Sequence, residues 1–363
     1  MKLKKISFNA KGSKKEGSYR IPFIWMKSYL LEKYDCVDNQ IDDSIDLYFC
    51  KAGQGIANKI RQIKPNARIV LFKPHLEVST HFDLFNLYKT FRSIIELIIE
   101  YVFRRKYNLY KKDIKASNIL IADSRKLKLY FQVTTNKISY YFKLFEKIPL
   151  GKIKEKKSLI SKSKITFLYH GGIKHYNENF PQLNKLLKFI AKDKKVDFVC
   201  ISNLSDIKKY IRIKNVNTYY YEYQFELLIK YLKKADIGYV PNFLRPRIKI
   251  LKKIHDLFNY LFYQLNLYSL TEKNSSNAGR AYLYAQFGVP FICHPTREVI
   301  ADFSKIKNLE FPNNDDEALW ILKKYLTEPL FYEDISESLL INAKNFDLQI
   351  ETMNLMQYIK KIF

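Results

Sequence analysis

The chain has 363 residues and 63 Lys and Arg against 36 Asp and Glu, a formal net charge of +27. Its 47% hydrophobic and 15% aromatic content excludes a disordered polymer, and its length exceeds what one core usually fills, so two domains are expected. The cationic balance predicts anionic partners, whether nucleic acid, anionic lipid or phosphorylated substrate, without choosing among them; an AT-rich coding bias toward Lys, Ile, Asn, Tyr and Phe explains the same excess without function.

The first segments alternate strand and helix. Lys5–Asn9 reads as a strand, Gly12 to Gly17 as a loop whose Gly12 and Ser13 follow the strand end, and Pro22 to Tyr34 as a helix with Phe23, Met26 and Leu30 on one face. Strand Ile45 to Cys50, a Gly53/Gly55 loop, a helix through Arg61 and strand Ala67 to Phe72 repeat the pattern. Such alternation predicts a parallel sheet. His75, Glu77, His81 and Asp83 follow the last strand; Phe82 to Tyr107 reads as helical, and Asn118 to Asp123 as another strand.

Residues 151–164 are rich in lysine and poor in large apolar side chains, the composition of a linker after a first domain at 1–150. A second series spans 165–345: strand Ile165 to His170, the pair Gly171-Gly172, helix Phe180 to Ala191, strands Val196 to Ser202 and Val216 to Tyr221, helix Phe225 to Lys234 and strand Ala235 to Pro241. An aromatic, basic insertion at 243–273 carries an apolar stripe at helical spacing, fit either to rest on a membrane surface or to pack on its own core or a dimer partner. A helix at 346–363 closes the chain.

Between them lies NSSNAGRAYLYAQFGVPFICHP, in which a small polar loop opens a helix that Gly288 stops before a buried strand. Ser275, Ser276 and Asn277 are candidates to cap the helix or to bind phosphate, and Arg280 adds a cation to a first turn whose dipole is positive. In parallel sheets ligands bind beyond the carboxyl ends of strands, where Gly171, Gly172, Tyr223 and this segment all fall. The expectation is a nucleotide crevice. The four cysteines are spaced as core thiols, no ligand set predicts a metal, and no cofactor is expected. No apolar run is long enough to span a membrane and the N-terminus lacks a signal-peptide core, so a cytoplasmic location is expected.

FLYHGG, ELLIKYLKKADIGYVPN and SSNAGRAYLYAQFGVPFI, in that order, resemble the donor-binding half of GT-B fold glycosyltransferases over about Ile165 to Phe303. NILIADSRKLKLYF looks like the last strand and helix of the acceptor-side domain. The resemblance implies two Rossmann-like α/β domains facing a central cleft. It also implies a nucleotide-sugar donor on the second domain and metal-independent transfer to a cell-surface polysaccharide, oligosaccharide or lipid-linked acceptor, with peripheral contact at the inner leaflet. An inverting route needs a general base on the acceptor side, for which His75 and Asp83 are the candidates. The paired glutamates of many retaining members are absent: Ser275 and Leu283 hold those positions, leaving donor nucleotide and stereochemistry open. A basic nucleic-acid-binding protein and a catalytically silent GT-B relative are the competing readings, the first lacking any recognised nucleic-acid motif.

Overall fold

The computed structural model describes residues 3–12, 19–72, 105–148, 153, 156–241 and 278–363. These form two compact units, one made of the chain up to Lys147 together with Leu348–Phe363, the other of the described residues between Ile148 and Asp347.

The first unit holds a parallel sheet in the order β2-β1-β3-β4-β5-β6. Its strands are β1 (Lys5–Asn9), β2 (Asp35–Asp38), β3 (Leu47–Lys51), β4 (Ile69–Phe72), β5 (Ile119–Ala122) and β6 (Ile138–Tyr141). The inner strands IVLF and ILIA are buried at every residue, as expected where both faces are covered. The stretch expected as one helix from Pro22 to Tyr34 is a π-helical segment Arg20–Trp25 running into α1 (Met26–Leu30), and the chain then enters β2. Pro22 lies in the first turn, where a missing N–H costs no ladder bond, and the wide turn closes with the Met26 N–H donating to the Ile21 carbonyl. NILIADSRKLKLYF forms β5 and a helix, but β6 follows them, so that strand is not the last of its sheet.

The remaining described helices of this unit are α2 (Ile56–Ile63), α3 (Arg105–Ala116), α4 (Arg125–Thr135) and, from the far end of the sequence, α11 (Leu348–Ile362). Phe8, Phe49, Phe72, Phe23 and Phe142 form a run of ring contacts at 5.1 to 6.4 Å on one face of the sheet.

The second unit holds the parallel sheet β11-β10-β7-β8-β9. Its strands are β7 (Lys164–His170), β8 (Lys195–Ser202), β9 (Val216–Glu222), β10 (Ile237–Val240) and β11 (Phe291–Cys293). Around them lie α5 (Ile173–Ile190), α6 (Phe225–Lys234), α7 (Gly279–Gln286), α8 (Arg297–Phe303), α9 (Asp315–Thr327) and α10 (Pro329–Ala343). Helix α5 begins at once after Gly172 rather than near Phe180, and carries Pro181 inside it. Gly288 ends α7 as expected: its φ is +58, its N–H donates to the Ala285 carbonyl at 2.9 Å, and the Val289 N–H reaches Tyr284 at 2.9 Å, the paired bonds of a Schellman stop. All four cysteines are buried as free thiols, and burial pushes Cys36 up to about 11 and Cys200 up to about 12, so both are inert at neutral pH. Among the described residues no helix is long and apolar enough to cross a membrane.

Candidate functional site

In the second sheet the chain runs β7, β8, β9 in one direction and then returns to place β10 on the other flank of β7. The order therefore reverses between β7 and β10, where the loops leaving the two carboxyl ends turn opposite ways and open a crevice. His170-Gly171-Gly172 leaves β7 there, and Pro241 leaves β10.

Arg280, in the first turn of α7, occupies this point. Its Nη2 donates to the Pro241 carbonyl at 2.9 Å. Its aliphatic end lies against Gly171: a Cβ there would stand 2.8 Å from Arg280 Cδ and 3.1 Å from Nη1. Gly171 has a φ of +134, open to glycine and rare for other residues, so the glycine serves both the turn and the approach of the guanidinium.

The glycine pair is held from behind. Ser202 Oγ donates to the Gly171 carbonyl at 2.6 Å, the Gly171 N–H donates to Ile201 O at 3.3 Å, and the Tyr169 hydroxyl donates to the Gly172 carbonyl at 2.6 Å. Burial pushes the Tyr169 phenol well above its ordinary range, against the pull of the Arg280 guanidinium, so it remains a protonated donor.

Two helix N-termini meet at this place. α5 starts from Gly172 and α7 from Ala278, and neither has a side-chain cap. Each presents the positive end of a helix dipole toward this place. Between them Arg280 Nη1 is buried with no hydrogen-bond partner among the described residues. A buried guanidinium N–H without an acceptor carries an uncompensated desolvation cost, which an anion bound in the crevice would remove.

Of the residues expected from sequence, Gly171, Gly172 and Arg280 are thus brought together. Tyr223 stands half-buried after β9, two strands away from β7. Gly12 follows β1 in the first unit, where the Gln54 amide clasps the Lys11 backbone, accepting from its N–H at 2.8 Å and donating to its carbonyl at 2.6 Å. His75, Asp83, Ser13, Ser275, Ser276 and Asn277 lie outside the described residues. The residue at the cap position of α7 is Ala278 rather than one of the three polar candidates. Leu283, at the position of the second glutamate in paired-glutamate enzymes, is 3% exposed and belongs to the core.

Sequence reasoning missed Tyr169 and Ser202, whose only signal was a polar atom at or next to the end of an apolar strand. It also missed Asp113 in the first unit. That carboxylate accepts from the backbone N–H groups of Gly53, Gln54 and Gly55 at 2.9 to 3.2 Å and of Asn58 at 3.2 Å. The Gly53-Gln54-Gly55 turn is an anion nest of the phosphate-loop kind, filled by the chain's own side chain. Burial pushes the Asp113 carboxyl up while the four amides pull it down. Among the described residues no group of His, Cys, Asp and Glu is arranged to hold a metal ion.

No protein-family model and no curated protein matches this sequence. Solved structures do match. HepE of Anabaena, in complex with UDP and glucose, aligns at a TM-score of 0.60 and 11% identity, covering 99% of this chain and 100% of that one. Sucrose-phosphate synthase from Thermosynechococcus elongatus aligns at 0.59 and 9% identity over 99% of both chains. A trehalose-phosphate synthase from Burkholderia xenovorans, in complex with glucose-6-phosphate, aligns at 0.53 and 9% identity over 95% of this chain and 78% of that one. The fold is GT-B. The GT-B alignments take in both α/β units, whereas the resemblance read from the sequence rests mainly on the second.

Proposed function

We propose that this chain is a GT-B glycosyltransferase whose second unit binds a nucleotide-diphosphate sugar at the β7/β10 crevice. The observation that supports it most is the buried, unpaired Nη1 of Arg280 set between two uncapped helix N-termini. As the bond from the anomeric carbon to the diphosphate breaks, negative charge grows on the leaving oxygen. A guanidinium and two helix dipoles fixed beforehand favour that charge without reorganising. No metal is needed in this scheme. UDP in the crystal of the similarly folded HepE supports the choice of donor class.

The acceptor in this reading is a cell-surface polysaccharide, an oligosaccharide or a lipid-linked glycan, with His75 or Asp83 as the general base of an inverting transfer. Peripheral contact with an anionic inner leaflet through the basic 243–273 segment belongs to the same proposal. Its check is co-sedimentation with phosphatidylglycerol vesicles, lost when that segment is replaced by a short linker.

The deciding experiment is thermal stabilisation by UDP-, GDP-, CMP- and ADP-linked sugars, run beside Arg280→Ala. One nucleotide should raise Tm and the variant should abolish that rise. The ligand-free Tm of the variant should change little, because removing the buried unpaired Nη1 offsets the loss of the Nη2 bond to the Pro241 carbonyl. Equal stabilisation of both proteins would place the diphosphate elsewhere. Salt-sensitive retention on oligonucleotides with no nucleotide-sugar preference would favour nucleic-acid binding instead.

A further inference from the structure

β9 is the outer strand of the second sheet among the described residues, and its sequence VNTYYYE is aromatic where an edge is usually protected by charge or proline. Tyr219 and Tyr221 point to the same face, their rings parallel within 3° and their centroids 6.5 Å apart, the two-residue repeat of a strand. Tyr231 of α6 stacks on Tyr221 at 5.3 Å and donates to its hydroxyl at 2.8 Å, so the pair is braced from the helix. Tyr219 is 38% exposed.

Polar groups continue the row along the same face. Asn217 Nδ2 donates to Asp197 Oδ1 at 3.1 Å, and Lys164 Nζ meets Asp197 Oδ2 at 2.5 Å. By register Asn217 lies beside Asp197, and Tyr219 beside Val199. A core role does not account for the exposed Tyr219 ring, parallel to the half-buried Tyr221 and followed by an amide, a carboxylate and an ammonium.

We propose that this edge binds a chain of neutral hexopyranose residues. A pyranose with axial C–H groups on one face packs that apolar face on an aromatic ring, while its hydroxyls need acceptors and donors at the side. Tyr219 and Tyr221 offer the first, Asp197, Asn217 and Lys164 the second. The Asp197 carboxylate within the row disfavours a phosphodiester backbone. The site goes beyond the donor crevice and does not depend on it: it would hold acceptor or product glycan through the second unit whatever Arg280 binds.

The test is calorimetric titration of the full chain with maltohexaose, cellohexaose and chitohexaose. At least one should saturate. Tyr219→Ala should weaken it tenfold or more, Tyr219→Phe should retain it, and Arg280→Ala should leave it unchanged. Failure of all three sugars to saturate at millimolar concentration overturns the proposal, as does binding that survives the Tyr219→Ala, Tyr221→Ala double variant. A concentration-dependent dimer that Tyr219→Ala dissolves would assign the edge to a second copy of the chain and overturn it too. Loss of nucleotide-sugar stabilisation in Arg280→Ala together with intact glycan binding separates the two sites.

Discussion

Gly171 joins two requirements in one residue. A side chain there must adopt a φ of +134 and must also displace the Arg280 side chain, whose Cδ would stand 2.8 Å from the new Cβ. Gly171→Ala should cost ~1–3 kcal/mol in stability, read from the denaturant midpoint. It should also lower nucleotide-sugar affinity, because the guanidinium has to move. Arg280→Ala should lose affinity without that stability loss, so the pair of variants distinguishes backbone strain from a missing cation. Asp113 gives the opposite case, a buried charge fully met by four amides. Asp113→Ala should destabilise the first unit by roughly 2 kcal/mol or more, and Asp113→Asn by less, since one oxygen remains to accept. The emptied nest should take an exogenous anion: added formate or phosphate should recover part of the lost Tm in Asp113→Ala and leave the parent unchanged.

At the scale of elements, Lys156 shows how a segment that sequence reads as linker can cap a helix. Its Nζ donates to the Lys233 carbonyl at 2.8 Å, closing the carboxyl end of α6, while its backbone N–H donates to Ser336 Oγ at 2.7 Å. Burial pushes the amine down to about 8 from 10.5. Below about pH 8 folded and unfolded chains both hold the proton, and the contribution is flat. Between about 8 and 10.5 the unfolded chain binds more protons, so stability rises with pH. The difference in denaturant midpoint between the parent and Lys156→Met should therefore widen over that interval in favour of the parent.

The same scale explains what the sequence disclosed. Strands buried on both faces, such as IVLF and ILIA, are legible because an apolar run has few other uses. DCVD and ISYY, the outer strands β2 and β6, went unread because an edge needs no such run and pairing alone defines it. The start of α5 was missed because His175, Asn177 and Pro181 mask its period, whereas burial of Tyr176 and Leu183 fixes the helix. Arg280 was legible from its place before a helix and a glycine stop. Tyr169 and Ser202, which hold the neighbouring glycine pair, became visible only when parallel pairing brought β7, β8 and β10 side by side.

For the whole molecule, a net charge of +27 is an argument about encounter rather than architecture. Association with an anionic nucleotide should slow as salt screens the surface, while the partial burial of Arg280 keeps its own contact less sensitive. α11 has a larger effect. It packs on the first unit through Tyr358, 4.8 Å from the Tyr140 ring, and through Glu351, which accepts from the Lys143 N–H at 3.2 Å. Phe363 stands 5.7 Å from the Arg68 guanidinium. Removing residues from Leu348 onward should therefore lower hydrogen-exchange protection in β1–β6 and leave β7–β11 largely protected.

That helix has a consequence for how the chain is made. Everything in the second unit emerges from the ribosome before the last element of the first one does. The earliest-synthesised sheet thus waits, one face incomplete, through the translation of more than half of the molecule. A chain clipped just before Leu348 would carry a finished later unit and an unfinished earlier one.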